Sequence, residues 1–241
     1  MSRVFKLARE FRLIVGAVLA MAFVSSSAMA VEGYTGWSIG IIANDSDFTT
    51  TGKEEEGGTV GDVDHNSAKI DKGVSFPSVF VEYSWGNVLG MTIGLEHIPG
   101  EHSIGSGTNT RAITDGDAGD DGDACSCKAE AKVENLTTLY IEPTIILFDQ
   151  LGIYGKAGVK RGQLNSIETT VTSKYGNEAI TGGLLGLGFK YVTSFGPFIK
   201  VEGIQVHYNQ IELEARPTSN NNFVKAKPYE ESARVAIGWN F

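Results

Sequence analysis

Cysteine and proline are scarce in this chain, 2 and 6 among 241 residues. That excludes a disulfide-stapled scaffold and a collagen-like chain, and with 41% hydrophobic residues the composition suits one ordered domain. Long apolar runs are missing too. The run from Leu13 to Val24 is about 12 residues, short of the roughly 20 that a spanning helix needs, and nothing later is long enough. No stretch carries the 3.6-residue period of a convincing amphipathic helix. Bases are in deficit. Setting aside residues 1–30 leaves 16 bases against 28 acids, a formal charge of −12. A surface that acidic cannot displace phosphate counterions, which excludes nucleic acid as a partner.

The first thirty residues read as an address. Arg3, Lys6, Arg9 and Arg12 precede the apolar run, three serines follow it, and Ala28-Met29-Ala30 sets small residues where a signal peptidase reads. The expectation is a secretory signal peptide cleaved after Ala30, with residues 31–241 as one exported domain. An uncleaved anchor is the alternative, and the short run argues against it. No cysteine follows the cleavage site, so no lipoprotein acylation is expected.

Beyond Val31 the period is two. Trp37, Ile39 and Ile41 alternate with glycine and serine; Val79, Val81, Tyr83 and Trp85 alternate with Ser78, Phe80, Glu82 and Ser84. Leu89–Leu95, Leu139–Ile145, Ile153–Val159, Leu185–Tyr191, Ile199–Val201 and Ala233–Phe241 repeat the pattern, which predicts eight strands with one oily and one polar or small face each. Short links (Gly86-Asn87, Phe148 to Gly152, Thr193 to Gly196) alternate with long ones (Asn44 to Gly73, Pro99 to Lys132, Gly162 to Glu178, Asn209 to Pro228). An up-and-down barrel gathers such long loops at one end and the short turns at the other.

Alternation alone does not say which face is buried. A soluble barrel hides the oily face, whereas an outer-membrane barrel shows it to lipid. Here the polar face carries Glu82, Glu96, Glu142 and Glu202 against Lys156, Lys160, Lys190, Lys200 and Arg234, near balance in an otherwise acidic chain. That suits a paired interior network, since isolated buried charges are costly. Strands of about 10 residues cross a bilayer when tilted. Aromatics gather near strand ends (Tyr34, Trp37, Trp85, Tyr191, Phe195, Trp239, Phe241) as interfacial girdles do. The last strand ends on Trp239-Asn240-Phe241. The expectation is an all-β, eight-stranded antiparallel transmembrane barrel in the outer membrane.

With this strand pattern, long-short rhythm and terminal Phe241, the chain resembles the small outer-membrane β-barrel superfamily of Gram-negative bacteria, the opacity proteins and the membrane domain of outer-membrane protein A among them. The resemblance covers residues 31–241 and rests on architecture and the C-terminal aromatic. It implies that the barrel-assembly machinery reads Ala233, Val235, Ile237, Trp239 and Phe241, and that outer-membrane lipid and lipopolysaccharide surround the barrel.

Candidate chemistry is sparse. In the second long link, Asp115, Asp117, Asp120, Asp121 and Asp123 could wrap Ca²⁺ or bridge through cations to lipopolysaccharide phosphates, although the spacing is not that of an EF-hand. A solvated acidic loop is the plainer reading, and it extends to Glu54, Glu55, Glu56, Asp62 and Asp64 in the first link. Cys125 and Cys127, in an oxidising compartment, are expected to close a small local disulfide; a soft-metal pair or a redox bridge are the alternatives. His207-Tyr208-Asn209 resembles the His-x-Ser element of lipid A deacylases, but Asn209 stands where the nucleophile belongs. The glycines from Gly182 to Gly188 lie within a strand and make room for side chains rather than phosphate. No other cofactor motif is present. Eight strands leave a lumen that side chains fill. The expectation is therefore a non-enzymatic scaffold presenting long acidic loops for envelope integrity, adhesion or binding of an extracellular ligand. A narrow porin-like channel and a lipid A-modifying enzyme are the alternatives.

Overall fold

A computed structural model describes residues 35–55, 65–86, 88–111, 125–148, 150–168, 174–216 and 223–241. The expected signal peptide (residues 1–30) and the aspartates from Asp115 to Asp123 lie outside the described residues. Ten strands follow in order: β1 (Gly36–Glu55), β2 (His65–Trp85), β3 (Leu89–Arg111), β4 (Cys125–Leu147), β5 (Leu151–Glu168), β6 (Lys174–Tyr175), β7 (Glu178–Val192), β8 (Pro197–Tyr208), β9 (Ile211–Arg216) and β10 (Phe223–Asn240). Every pairing is antiparallel. β10 returns to β1 over the register Ser38↔Asn240 to Glu55↔Phe223, which closes the sheet into a barrel. There are eight staves, because β6 with β7 and β8 with β9 each form one stave, interrupted at Gly176-Asn177 and at Asn209-Gln210. Closure is what lipid requires, since an open edge would leave backbone groups unpaired in hydrocarbon.

The period of two resolves into an outside and an inside. Ile39, Ile41, Leu139, Leu185 and Leu187 are exposed on the outer wall, while Ser38, Glu82, Glu96 and Thr138 between such residues are buried in the lumen. The Trp37 ring lies tilted 5.1 Å from that of Tyr83, which stacks at 6.1 Å on Trp85, an aromatic group at the turn end. Short turns join β2 to β3, β4 to β5 and β7 to β8, with Gly86 (φ 101°) and Gly196 (φ 108°) in the left-handed region.

The long links are corrected by the structure. Much of Asn44 to Gly73 is strand, since the β1–β2 ladder runs to Glu55↔His65, and Pro99 to Lys132 is strand up to Arg111↔Cys125. Cys125 and Cys127 therefore stand in the β4 ladder opposite Arg111 and Asn109, not in a loop; their side chains lie outside the described part. The reason is an exchange of faces. On β1 the outward residues change from Ile39 and Ile41 to Asp45, Asp47 and Thr49, while inward Phe48 is fully buried. On β8 the oily side passes likewise from outward Ile199 to inward Ile204, Val206 and Tyr208. Above the lipid belt water lies outside, so hydrophobic burial pulls the apolar side inward.

There the wall also divides. Pairing between β2 and β3 ends at Val79↔His97 and that between β5 and β7 at Leu164↔Glu178. Beyond those points β3, β4 and β5 form one sheet, while β2, β1, β10, β9 and β6 form another, with Phe48, Phe76, Ile98, Val133, Leu136 and Ile211 in the apolar core between them. The loop end is thus a small β-sandwich rather than four loose loops.

Candidate functional site

The lumen is filled by charge. Among the described residues ten charged side chains are buried there, Glu82, Glu96, Glu142, Glu202 and Glu230 against Lys156, Lys160, Lys190, Lys200 and Arg234, five of each sign. Lys200 Nζ donates to Glu142 at 2.8 Å and also pairs with Glu82. Lys156 bridges Glu142 and Glu202, 3.2 Å from each. Arg234 pairs with Glu96 and, through Nε, lies 3.0 Å from Glu202. Lys190 stands 3.6 Å from Glu82. Lys160 donates to both oxygens of Glu230 at 2.9 Å. Each acid lies on a different strand from its base, so the network ties staves across the lumen.

Residues that carry no charge complete it. Tyr140, Tyr154 and Tyr208 donate to Glu82 (2.7 Å), Glu202 (2.9 Å) and Glu230 (2.6 Å). Lys156 Nζ sits 3.8 Å above the Tyr140 ring, a cation over a π face. Glycines make the room. Gly94 lies between Glu82 and Tyr140 in the register, and a Cβ there would collide with the Tyr140 ring; Gly188 stands in the same relation to Glu202 and Tyr154. Ser46, Ser232 and Tyr208 also donate to the Glu230 oxygens beside Lys160. On the turn side Val192 and Phe198, with half-buried Ile146 and deeper Ile42, Phe80 and Ala236, make a second apolar cluster. Charge lies between two oily stoppers.

All nine charged residues singled out in the sequence point into the lumen. The sequence pattern singles out neither Glu230 nor the three tyrosines, because the oily phase of the last strand begins at Ala233; stepping back by twos from Arg234 through Ser232 reaches Glu230. On the outer wall, Ala233, Val235, Ile237 and Trp239 of β10 alternate with these inward residues, and Phe241 follows the strand with its amide bonded to the Trp37 carbonyl at 2.8 Å. His207 faces outward on β8, its ring 4.7 Å from that of Tyr229, which in turn donates to Glu231 at 2.7 Å. Asn209 follows β8, so the spacing brings histidine to the wall without a serine.

No helix among the described residues is long and apolar enough to cross a membrane. Among curated protein sequences none matches the chain. Solved outer-membrane proteins do match in fold. OprG from Pseudomonas aeruginosa is 13% identical, covers 88% of this chain and 100% of its own, and has a TM-score of 0.51. Neisserial surface protein A is 10% identical over 87% of this chain and 100% of its own, with a TM-score of 0.41. Ail, the attachment invasion locus protein of Yersinia pestis, solved with the heparin analogue sucrose octasulfate, is 12% identical over 83% of this chain and 99% of its own, with a TM-score of 0.36. The family model of the outer membrane protein beta-barrel domain matches residues 16–241, and the chain belongs to that family of outer-membrane barrels.

Proposed function

We propose that this protein is a non-enzymatic surface scaffold, a sealed barrel that holds a β-sandwich outside the cell for binding or adhesion. One observation carries the reading: the lumen is occupied from turn end to loop end by an oily cluster, a balanced charge layer and a second oily core. Opening a path would break buried ion pairs, each of which leaves uncompensated charge behind. The strands meanwhile continue past the lipid belt and support an ordered outer part, the usual place for binding on a rigid scaffold. Lipopolysaccharide would meet the collar of Asp45, Asp71 and Glu231 through bridging cations, and the assembly machinery would read the lipid-facing row of β10 ending at Phe241. Catalysis at His207 lacks a nucleophile.

Two measurements test this. Refolded protein in planar bilayers should show no discrete conductance steps; steady steps would replace the scaffold by a channel. An epitope tag inserted within 112–124 should be stained on intact Gram-negative cells, and a tag at the β4–β5 turn should not. The reverse staining would invert the barrel and end the proposal.

A further inference from the structure

Above the lipid belt the wall carries an open seam. The β1–β2 and β3–β4 ladders continue to Glu55↔His65 and Arg111↔Cys125, yet no pair joins β2 to β3 beyond Val79↔His97. Over residues 69–78 and 98–107 the two strands meet by side chains instead. The Phe76 ring lies 4.9 Å from that of His102, and Ile70 Cγ2 lies 3.6 Å from where a Cβ would stand on Gly105. β3 departs at a bulge between Ile98 and Glu101, where Gly100 takes φ 83°. Every second residue of each strand therefore turns its N–H and C=O toward a neighbour that is not paired with it.

The two edges differ. β2 carries Lys69, Asp71 and Lys72, charges of the kind that protect an edge from unwanted pairing. β3 from His102 to Gly107 has neither lysine nor proline. Among the described residues nothing stands within 4 Å of a Cβ placed on Gly100 or Gly107. Glycine within a strand marks where another backbone can come close. The inner side of the seam is oily, with Phe76, Ile98 and Ile104 buried and Val74 packed against them. Its outer side is polar, with Ser75 bonded to Asp45 and Glu101 bonded to Asn165.

We propose that the edge of β3 accepts an extended polypeptide segment of a partner, which adds as a strand between β3 and β2 and displaces the Ile70 contact. Backbone groups supply the affinity and alternate side chains the selectivity. Because β2 and β3 are antiparallel, the guest runs parallel to one and antiparallel to the other. Its apolar residues, at every second position, turn to the side on which Phe76, Ile98 and Ile104 lie, and the rest face water. An acyl chain offers no donor or acceptor to these edges, so peptide fits the seam better than lipid. The inference rests on the loop end lying outside the cell.

The test uses full-length mature protein carrying Cys125→Ser and Cys127→Ser, refolded in nanodiscs, and a displayed library of random linear peptides. A second protein adds Ile70→Cys and Gly105→Cys, placed where Ile70 Cγ2 comes within 3.6 Å of a Cβ on residue 105, to fasten the seam by a disulfide when oxidised. Selected peptides should alternate apolar and polar residues. They should bind the open protein at least about tenfold more tightly than the fastened one, a difference of about 1.4 kcal/mol. Reducing the disulfide should restore binding, and N-methylation of alternate peptide amides should abolish it. Absence of any enrichment, equal binding to both proteins, or displacement of the peptides by lipopolysaccharide, which would assign the seam to lipid, overturns the proposal. Failure of the surface reading shows separately, as an unstained tag on intact cells.

Discussion

Tyr140 of β4 passes over Gly94 of β3 to donate its hydroxyl to Glu82 of β2 at 2.7 Å. The relation recurs in mirror order, with Tyr154 of β5 passing over Gly188 of β7 to Glu202 of β8 at 2.9 Å. In both, the absent side chain of the middle residue lets an aromatic ring lie flat across a neighbouring strand. The phenol replaces water as donor to a carboxylate buried in the lumen, where an unmet acceptor is expensive.

Filling that space should therefore cost more than removing the hydroxyl. Gly94→Val is expected to expel the ring and lower unfolding stability by about 3 kcal/mol, through strain and a carboxylate deprived of its donor. Tyr140→Phe should cost about 1–2 kcal/mol. Urea titration in detergent, followed by the mobility shift on heating, reads both. A Gly94→Val protein as stable as the parent would refute the account.

Lys200 tests the charge layer. Lys200→Met leaves Glu82 and Glu142 short of a cation and is expected to cost about 3–5 kcal/mol. The Lys160–Glu230 pair is more separable, and the double variant Lys160→Met with Glu230→Gln should be milder than Lys160→Met alone, because no bare carboxylate remains. Additive losses in this cycle would show the two side chains to be energetically independent.

Leu187, 72% exposed, reports where the oily face lies. A nitroxide on Leu187→Cys, in the cysteine-free background and in lipid vesicles, should collide readily with oxygen and poorly with a polar nickel chelate. A strong nickel response would place this face in water.

Phe148 stands in the β4–β5 turn with φ 53° and 89% of its surface exposed. An aromatic residue in that conformation carries about 1–2 kcal/mol of strain, which asparagine tolerates. Phe148→Asn should accordingly be neutral or stabilising by about 1 kcal/mol in detergent, yet slow insertion into vesicles by removing an interfacial anchor. Equal insertion rates would leave the ring without that role.

How far the fold could be read from sequence follows from where lipid ends. Trp37, Ile39 and Ile41 announce a strand because hydrocarbon tolerates only apolar side chains on one face, and the lumen keeps the other polar. Past Ala43 the demand reverses. Asp45 and Asp47 face water and Phe48 faces a core, so a search for one continuous phase stops at the reversal and takes the remainder for loop. The same reversal hides Glu230, which lies on the inward side of β10 just where Tyr229 and Glu231 make its outer side polar. The seam between β2 and β3 leaves little trace beyond Pro99-Gly100, because ladder partners many residues apart are not encoded in local pattern.

The placement of Arg234 and Glu230 on the final stave has a consequence for assembly. Until β10 seats against β1 and β8, Glu96 lacks its guanidinium and Lys160 its carboxylate. A sheet without β10 therefore carries two raw ionic groups on the side that must become dry, and seating that stave cancels them. Shutting the cylinder and pairing these groups are one event, which penalises an incomplete or misregistered wall.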